Sequence, residues 1–232
     1  MNCIGMSKMG LVRKKNEDRF VIDDNLYIVT DGMGGYTGGE IASTYAIDEI
    51  RRLIQDADHV DTETLVQAIQ EANGKIYAAV HKEPQLEGMG TTAVVAALDG
   101  NKLYWAHVGD SRLYLFRHGN LNQVTVDHSF VQTLFEAGEI TKEEMGSHPK
   151  RNMLTRAVGV SPEVEVDSGV LELVPGDRIL MCSDGLTEYV SDYVIEGVLD
   201  EITSDQEVLD VLMRLVYDGG AGDNTTIIVG SM

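Results

Sequence analysis

Cysteine is almost missing from this chain: Cys3 and Cys182 are the only two in 232 residues, too few and too far apart for a disulfide framework or a zinc ribbon. Cys182 falls inside the apolar run RILMC, the setting of a reduced, buried thiol. Basic residues are scarce as well, 18 Lys and Arg against 38 Asp and Glu, for a net charge of −20. That balance repels nucleic acid and anionic membrane surfaces. No window reaches the apolar length of a membrane span, and the opening MNCIGMSKMG lacks the apolar core of a secretory leader. No Pro/Gly/Ser linker or repeat divides the chain, so a single domain over 1–232 is expected, in a cytoplasmic protein with no nucleic-acid partner and no membrane insertion.

Three signatures of phosphate or ester chemistry are also absent. The glycine-rich MGGYTGG is not followed by Lys-Ser/Thr, so a nucleotide-gripping P-loop is excluded. Cys182 is followed by SDGLTE and not by the arginine that a cysteine-nucleophile phosphatase needs. A Gly-x-Ser-x-Gly elbow does not occur.

What is present is a set of aspartates at the tips of apolar runs. Asp31 ends LYIVTDGMGG, Asp184 ends DRILMCSDGL, and Asp223 precedes the last run in GDNTTIIVG. Several acids at strand ends can converge on a cation. Their hard oxygens suit magnesium, manganese or calcium, and not zinc or copper, with Mg or Mn preferred. With three or more carboxylates, a pair of ions roughly 3.5 to 4 Å apart, bridged by one aspartate, is the common arrangement in phosphate-ester hydrolysis. Each acid also has an ordinary reading. An Asp-Gly pair is most often a hairpin turn, though that needs a partner strand directly afterwards. Asp223 fits an Asx-turn, and Asp110 in HVGDSRLY fits a β-turn. A calcium-binding structural module is a weaker alternative, because no twelve-residue EF-hand loop exists.

The pattern around these residues predicts α+β. A capping box from Thr37 to Glu40 precedes a helical face of Ala42, Tyr45, Ala46, Ile50, Leu53 and Ile54, and a second helix carries Leu65, Ala68, Ala72, Ile76 and Ala79. TTAVVAAL, KLYWAHVG and RLYLFRHG read as a meander of antiparallel strands. Asp127 to Pro162 reads as an insertion with a short helix in HSFVQTLFEAG and a capping box from Thr141 to Glu144. Strands return at 164–170 and 178–182, helical patterns fill 192–217, and the last strand is 225–229. Two packed antiparallel sheets flanked by helices, α-β-β-α, account for this order.

Two further segments carry charge of interest. GLVRKKNEDRF brings Arg13, Glu17 and Asp18 just ahead of the strand leading to Asp31. An arginine fork can hold two phosphate oxygens while neighbouring acids face the metal, although an isolated stretch like this is more often a solvated turn. From Met145 to Pro162 there is no acid at all, while His148, Lys150, Arg151 and Arg156 are present. In so acidic a chain that reversal reads as a flap, about 137–162, meeting an anionic substrate; the alternative is a loop docked on the acidic body.

Taken in order, RKKNED, VTDGMGG, GMGTTAVVA, VGDSRLY, DHS, HPKRNMLTRAVG, LVPGDRILMCSDGLTE and GDNTTIIV resemble the metal-dependent serine/threonine protein phosphatases of the type 2C (PPM) family, particularly the compact bacterial members. The resemblance spans essentially the whole chain. It implies a β-sandwich with a binuclear Mn or Mg centre, a third, weaker ion, and hydrolysis of phosphoserine and phosphothreonine esters by metal-activated water. Asp31 would bridge the two ions, the Gly32 carbonyl would bind one, and Asp184 and Asp223 would hold the other. Glu17 and Asp18 would serve the second ion directly or through water, Arg13 would grip the phosphate, and Asp110 with Asp184 would bind the third ion. Phosphorylated proteins and a cognate Ser/Thr kinase are the implied partners of a monomeric enzyme. Met33 stands where animal members carry a histidine assigned as general acid, and a thioether cannot donate that proton. A metal-bound water or His148 are the candidates in its place. A catalytically silent relative that binds a partner is the alternative, disfavoured because the metal aspartates are all present.

Overall fold

The central strand-forming runs LYIVT, AVVAAL, RILMC and TTIIVG are nearly continuously apolar, because those strands are covered on both faces. In the computed structural model, which describes residues 1–34, 38–57, 59–83 and 86–232, the sequence order is β1 (Asn2–Lys8), β2 (Asp18–Asp23), β3 (Leu26–Met33), α1 (Gly38–Gln55), α2 (Thr62–Lys82), β4 (Gly90–Thr91), β5 (Ala93–Asp99), β6 (Lys102–Val108), β7 (Arg112–Arg117), β8 (Asn120–Gln123), α3 (Phe130–Glu136), α4 (Lys142–Ser147), β9 (Asp167–Glu172), β10 (Arg178–Cys182), α5 (Asp184–Thr187), α6 (Asp192–Glu201), α7 (Asp205–Asp218) and β11 (Thr225–Ser231). One antiparallel sheet runs β1-β11-β10-β7-β8; the other runs β2-β3-β5-β6-β9, with β4 beside β3.

Side chains of successive residues point to opposite faces, so each run divides between two cores. Tyr27, Val29, Val94, Ala96, Leu113, Ile179, Met181 and Ile228 pack between the sheets. Leu26, Ile28, Ala93 and Val95 face α1 and α2 on one outer side, and Tyr114, Leu180, Cys182, Ile227 and Val229 face α5 to α7 on the other. This is the expected α-β-β-α layering. Arg178 ties the second helical layer to its sheet: its guanidinium donates to the carbonyls of Leu199 (2.8 Å) and Ile202 (2.6 Å) and to Asp205 (2.6 Å).

Several expectations need correction. The third strand of the expected meander, β7, leaves the sheet of β5 and β6 and pairs with β8 and β10 in the other sheet. The switch occurs at Gly109-Asp110-Ser111, where Gly109 adopts φ +107°. The hydrophobic pattern is the same in either sheet, so it could not reveal the crossover. The strand expected at 164–170 is β9, Asp167–Glu172, while Val164 and Val166 pack against the first helical layer outside the ladder. The helical patterns of 192–217 are, as expected, helices: α6 and α7, separated near Ser204, whose hydroxyl caps Glu207 N–H. Tyr45, assigned to a buried face, is 50% exposed. β1, β2, β4 and β8 were not foreseen. The Thr37 half of the expected capping box lies outside the described residues, whereas the Thr141–Glu144 box is formed. Among the described residues no helix is long and apolar enough to cross a membrane.

The segment between α3 and β9 covers one end of the sandwich and its return limb is fastened to the body. Phe130 N–H donates to Met153 O (2.7 Å), Thr155 N–H to His128 O (2.9 Å) and Val158 N–H to Thr91 O (2.8 Å). Arg178→Ala should destabilise the protein by about 3 kcal/mol, because it strands Asp205 and two helix-end carbonyls in a buried setting. Urea denaturation measures it; a loss below about 1 kcal/mol would show that the two layers are held by apolar contact alone.

Candidate metal centre

The antiparallel register of β2 and β3 sets Asp18 opposite Asp31 at the end of the first sheet. β10 ends in the same region and delivers Asp184 at the start of α5, while Asp223 stands two residues before β11. Asp110 sits at the point where the chain crosses between sheets. Two glycines allow these ends to meet. A Cβ on Gly32 would fall 2.0 Å from the Gly39 carbonyl oxygen, and one on Gly185 would fall 1.9 Å from that of Asn224. Neither position tolerates a side chain, so strand β3 meets α1, and α5 meets the approach to β11, backbone to backbone.

The result is a cavity of about 250 Å³ lined by Arg13, Glu17, Asp31, Gly32, Met33, Asp110, Asp184 and Asp223, with Asn152, Leu154, Thr92, Gly34 and Asn224 completing it. Asp18 is buried beneath this lining. Its Oδ2 accepts from the hydroxyls of Ser183 (2.7 Å) and Thr226 (2.8 Å). The Asp31 carboxyl is paired across the ladder with Asp18 and shares the cavity wall with Asp184, and it acts on the carboxyls of both. Its backbone is clamped by Thr92, whose Oγ1 accepts from Asp31 N–H (2.9 Å), and by Thr91, whose hydroxyl donates to Asp31 O (2.8 Å). Thr92 also hydrogen-bonds Ser111 (2.7 Å), linking the Asp31 strand to the Asp110 turn.

A buried carboxylate oxygen normally has a donor. Asp18 Oδ1 and Asp184 Oδ1 are buried and have none. Two orphaned carboxylate oxygens in an all-oxygen cluster are the donor set of a hard divalent cation, so the residues present fit Mg²⁺ or Mn²⁺. Without a cation, burial and then the charges of Asp18, Asp184, Asp110 and Asp223 push the Asp31 carboxyl well above the usual range. Burial, followed by Asp110, Asp223 and Glu188, does the same to Asp184. Burial lifts Asp18 to about 6 against the pull of Ser183 and Thr226, and burial together with Asp127 lifts Asp110 to about 7.

The other candidates are placed less uniformly. Arg13 is half exposed and its Nη2 donates to Asp223 Oδ2. Among the four basic residues of the flap, none lines this cavity. Arg151 lines a neighbouring one of about 180 Å³, which shares Asp110, Asp184 and Asn152 with the first, and lies 4.0 Å from Glu188. Lys150 Nζ sits 4.9 Å above the Phe130 ring, and the His148 ring packs at 5.9 Å from the same phenyl. Arg156 turns away to Asp167 (2.8 Å) and Glu165 (3.6 Å). The flap residues that do line the cavity are Asn152 and Leu154, which a search for charge passes over. Ser183, Thr226, Thr91 and Thr92 were likewise missed as site residues, since a strand hydroxyl looks the same whether it faces a ligand or a neighbour. A second metal-like grouping, His107, His128 and Asp167, has the Arg156 guanidinium against it, 3.2 Å from His128 Nε2, which disfavours a cation there.

The metal-free protein has a testable pH dependence. Folded Asp18 and Asp110 titrate at about 6 and about 7, whereas an unperturbed aspartate titrates at 3.8. Between these values the folded state holds more protons than the unfolded one, so the contribution of these groups is present below 3.8 and is lost as pH rises through 6 to 7. Metal-free protein should melt at a higher temperature at pH about 5 than at about 7.5, and Mn²⁺ should remove most of the difference. Calorimetry that finds no such difference would show that the carboxylates do not share one buried site.

Comparison with known proteins bears on this geometry. The family model for Protein phosphatase 2C matches residues 4–161. The chain is 43% identical over 227 residues to the serine/threonine protein phosphatase PstP of Mycobacterium tuberculosis, covering 97% of this chain and 44% of that protein, so it spans less than half that relative's length. It is 38% identical to the serine/threonine phosphatase stp of Listeria welshimeri, over 95% of this chain and 91% of that one. A crystal structure of the PstP catalytic domain in complex with two manganese ions matches with a TM-score of 0.91 at 40% identity, covering 99% of this chain and 97% of that one. The serine/threonine phosphatase Stp1 of Staphylococcus aureus matches with a TM-score of 0.94 at 34% identity, covering 99% and 94%.

Proposed function

This chain belongs to the protein phosphatase 2C family, and on that premise we propose that it hydrolyses phosphoserine and phosphothreonine esters of proteins by direct attack of water, opposing a Ser/Thr kinase. The observation that carries the reading is the convergence of Glu17, Asp31, Asp110, Asp184 and Asp223 on one cavity, over a buried Asp18, with two carboxylate oxygens lacking any donor. Residues 1–232 act as one monomeric catalytic domain in the cytoplasm.

Asp31 would bridge two Mn²⁺ or Mg²⁺ ions; the Gly32 carbonyl and, directly or through water, Glu17 and Asp18 would serve one, and Asp184 with Asp223 the other. Asp110 with Asp184 would hold a third, weaker ion. Bound there, the pair would supply a nucleophile from water at neutral pH and neutralise the phosphoryl oxygens. The chain's own residues do the rest. Ser183 and Thr226 orient Asp18, and the Thr91–Thr92 clamp fixes the Asp31 backbone, so the carboxylates need not reorganise during the reaction.

Arg13 keeps most of its five N–H donors free of Asp223 at the cavity mouth, where its fork can take two phosphate oxygens. Asn152, a neutral donor and acceptor on the cavity wall, suits the substrate's backbone or ester oxygen. Met33 offers no proton, and no imidazole lines the cavity among the described residues, so solvent protonates the leaving alkoxide.

Phosphate release from a phosphothreonine peptide should require manganese, vanish on chelation with EDTA and return when manganese is restored. Asp31→Asn and Asp184→Asn should each lower kcat by at least about 10³-fold while the protein stays folded, because each removes one of several buried like charges. No release by the wild-type protein across a panel of phosphopeptides, with manganese bound, would overturn the proposal in favour of a partner-binding module.

A further inference from the structure

The motif Asp127-His128-Ser129 lies outside the carboxylate cavity, yet His128 reaches both the turn that carries Asp110 and the limb that returns from the flap. The residue is 5% exposed. Its backbone N–H donates to Gly109 O (2.8 Å), and its ring Nδ1 accepts from Gly109 N–H (3.1 Å). Both backbone groups of Gly109 are therefore satisfied by one residue. Only glycine fits this position: φ is +107°, and a Cβ there would fall 2.6 Å from Thr92 Cγ2. On the opposite side His128 O accepts from Thr155 N–H (2.9 Å), and ring Nε2 lies 3.4 Å from Asp167 Oδ2 and 3.2 Å from Arg156 Nη1.

The hydrogen bonds define the tautomer. Nδ1 accepts, so the single proton of a neutral imidazole sits on Nε2, on the side of the ring that faces Asp167 and Arg156. Arg156 then completes the group by donating to Asp167 Oδ1 (2.8 Å). Burial, and then the Arg156 charge, hold His128 below the ordinary histidine range, in keeping with the neutral form. The ring lies against that of His107, with centroids 4.3 Å apart and planes tilted by 37°.

We propose that His128 is a positioning residue that sets Asp110 through Gly109 with one ring nitrogen, and sets the flap's return limb through Asp167 and Arg156 with the other. The metal-facing turn and the substrate-facing flap are thereby registered against each other by one imidazole. The inference rests on the reading of Asp110 as a cation ligand. It also gives Arg156 a role that differs from contact with substrate.

Two isosteres separate the ends of the ring. Asparagine places its Oδ1 where Nδ1 stands and lacks the far end; glutamine places its Nε2 where the ring Nε2 stands and lacks the near acceptor. In His128→Gln, Gly109 N–H loses its acceptor: its hydrogen exchange in metal-free protein should accelerate, and the weakest resolved Mn²⁺ site in calorimetry should weaken about tenfold. In His128→Asn, Gly109 protection and the Mn²⁺ isotherm should stay within about twofold of wild type, while KM for a phosphothreonine peptide rises about fivefold or more. Asp167→Asn, on a part-exposed strand, should follow His128→Asn. Unchanged Gly109 exchange and Mn²⁺ binding in His128→Gln, or equal damage to Mn²⁺ binding in both histidine variants, would overturn the proposal. The predicted exchange and Mn²⁺ pattern in a wild-type background that releases no phosphate would instead remove the phosphatase reading and leave the positioning role standing.

Discussion

Mutual repulsion among buried carboxylates is the constraint around which one end of this molecule is built. Burial disfavours the charged forms of Asp18, Asp31, Asp110 and Asp184, and neighbouring acids add to that cost. A chain assembled only for stability would not gather them. The surrounding structure over-determines their positions: a strand register for Asp18 and Asp31, hydroxyls from Ser183 and Thr226, and a threonine clamp on the Asp31 backbone. Divalent cations would offset the repulsion, so the same groups that strain the metal-free fold are the ones that would bind ions tightly.

The layered architecture supplies the rigidity this requires. Three separate apolar clusters, one between the sheets and one under each helical layer, fix the strands whose ends carry the acids. Close approach does the remaining positioning. Gly32 against Gly39 and Gly185 against Asn224 bring backbone to backbone at distances no Cβ would permit. The acidic residues are thus presented by elements that cannot move independently, and preorganised charge needs no rearrangement during reaction.

Much of this was legible before any coordinates. Asp31, Asp184 and Asp223 stood out because each marks an abrupt change from an apolar run to a polar turn, and both Asp-Gly pairs lacked the partner strand a hairpin would need. The crossover at Gly109 was not legible, because β7 is the same continuous apolar run whichever sheet it joins. The role of the flap charges was read from a reversal of sign, and sign has no direction: Arg156 spends its charge on Asp167 and Glu165, while the neutral Asn152 faces the cavity. Ser183, Thr226, Thr91 and Thr92 gave no signal because β-branched and hydroxyl residues are ordinary in strands.

The amino-acid sequence by itself determined the class of the fold, the all-oxygen character of the candidate site, and the segments that carry the acids. Those properties reside in residue type and in local periodicity, which a linear chain displays in full. Only the tertiary structure decided which sheet each strand joins, that Asp18 lies beneath the cavity while Asp31 lines it, which flap residue faces inward, and that His128 spans from the Asp110 turn to the flap. Each of these depends on contacts between residues tens to hundreds of positions apart, where direction and distance are set by packing and leave no trace in composition or spacing.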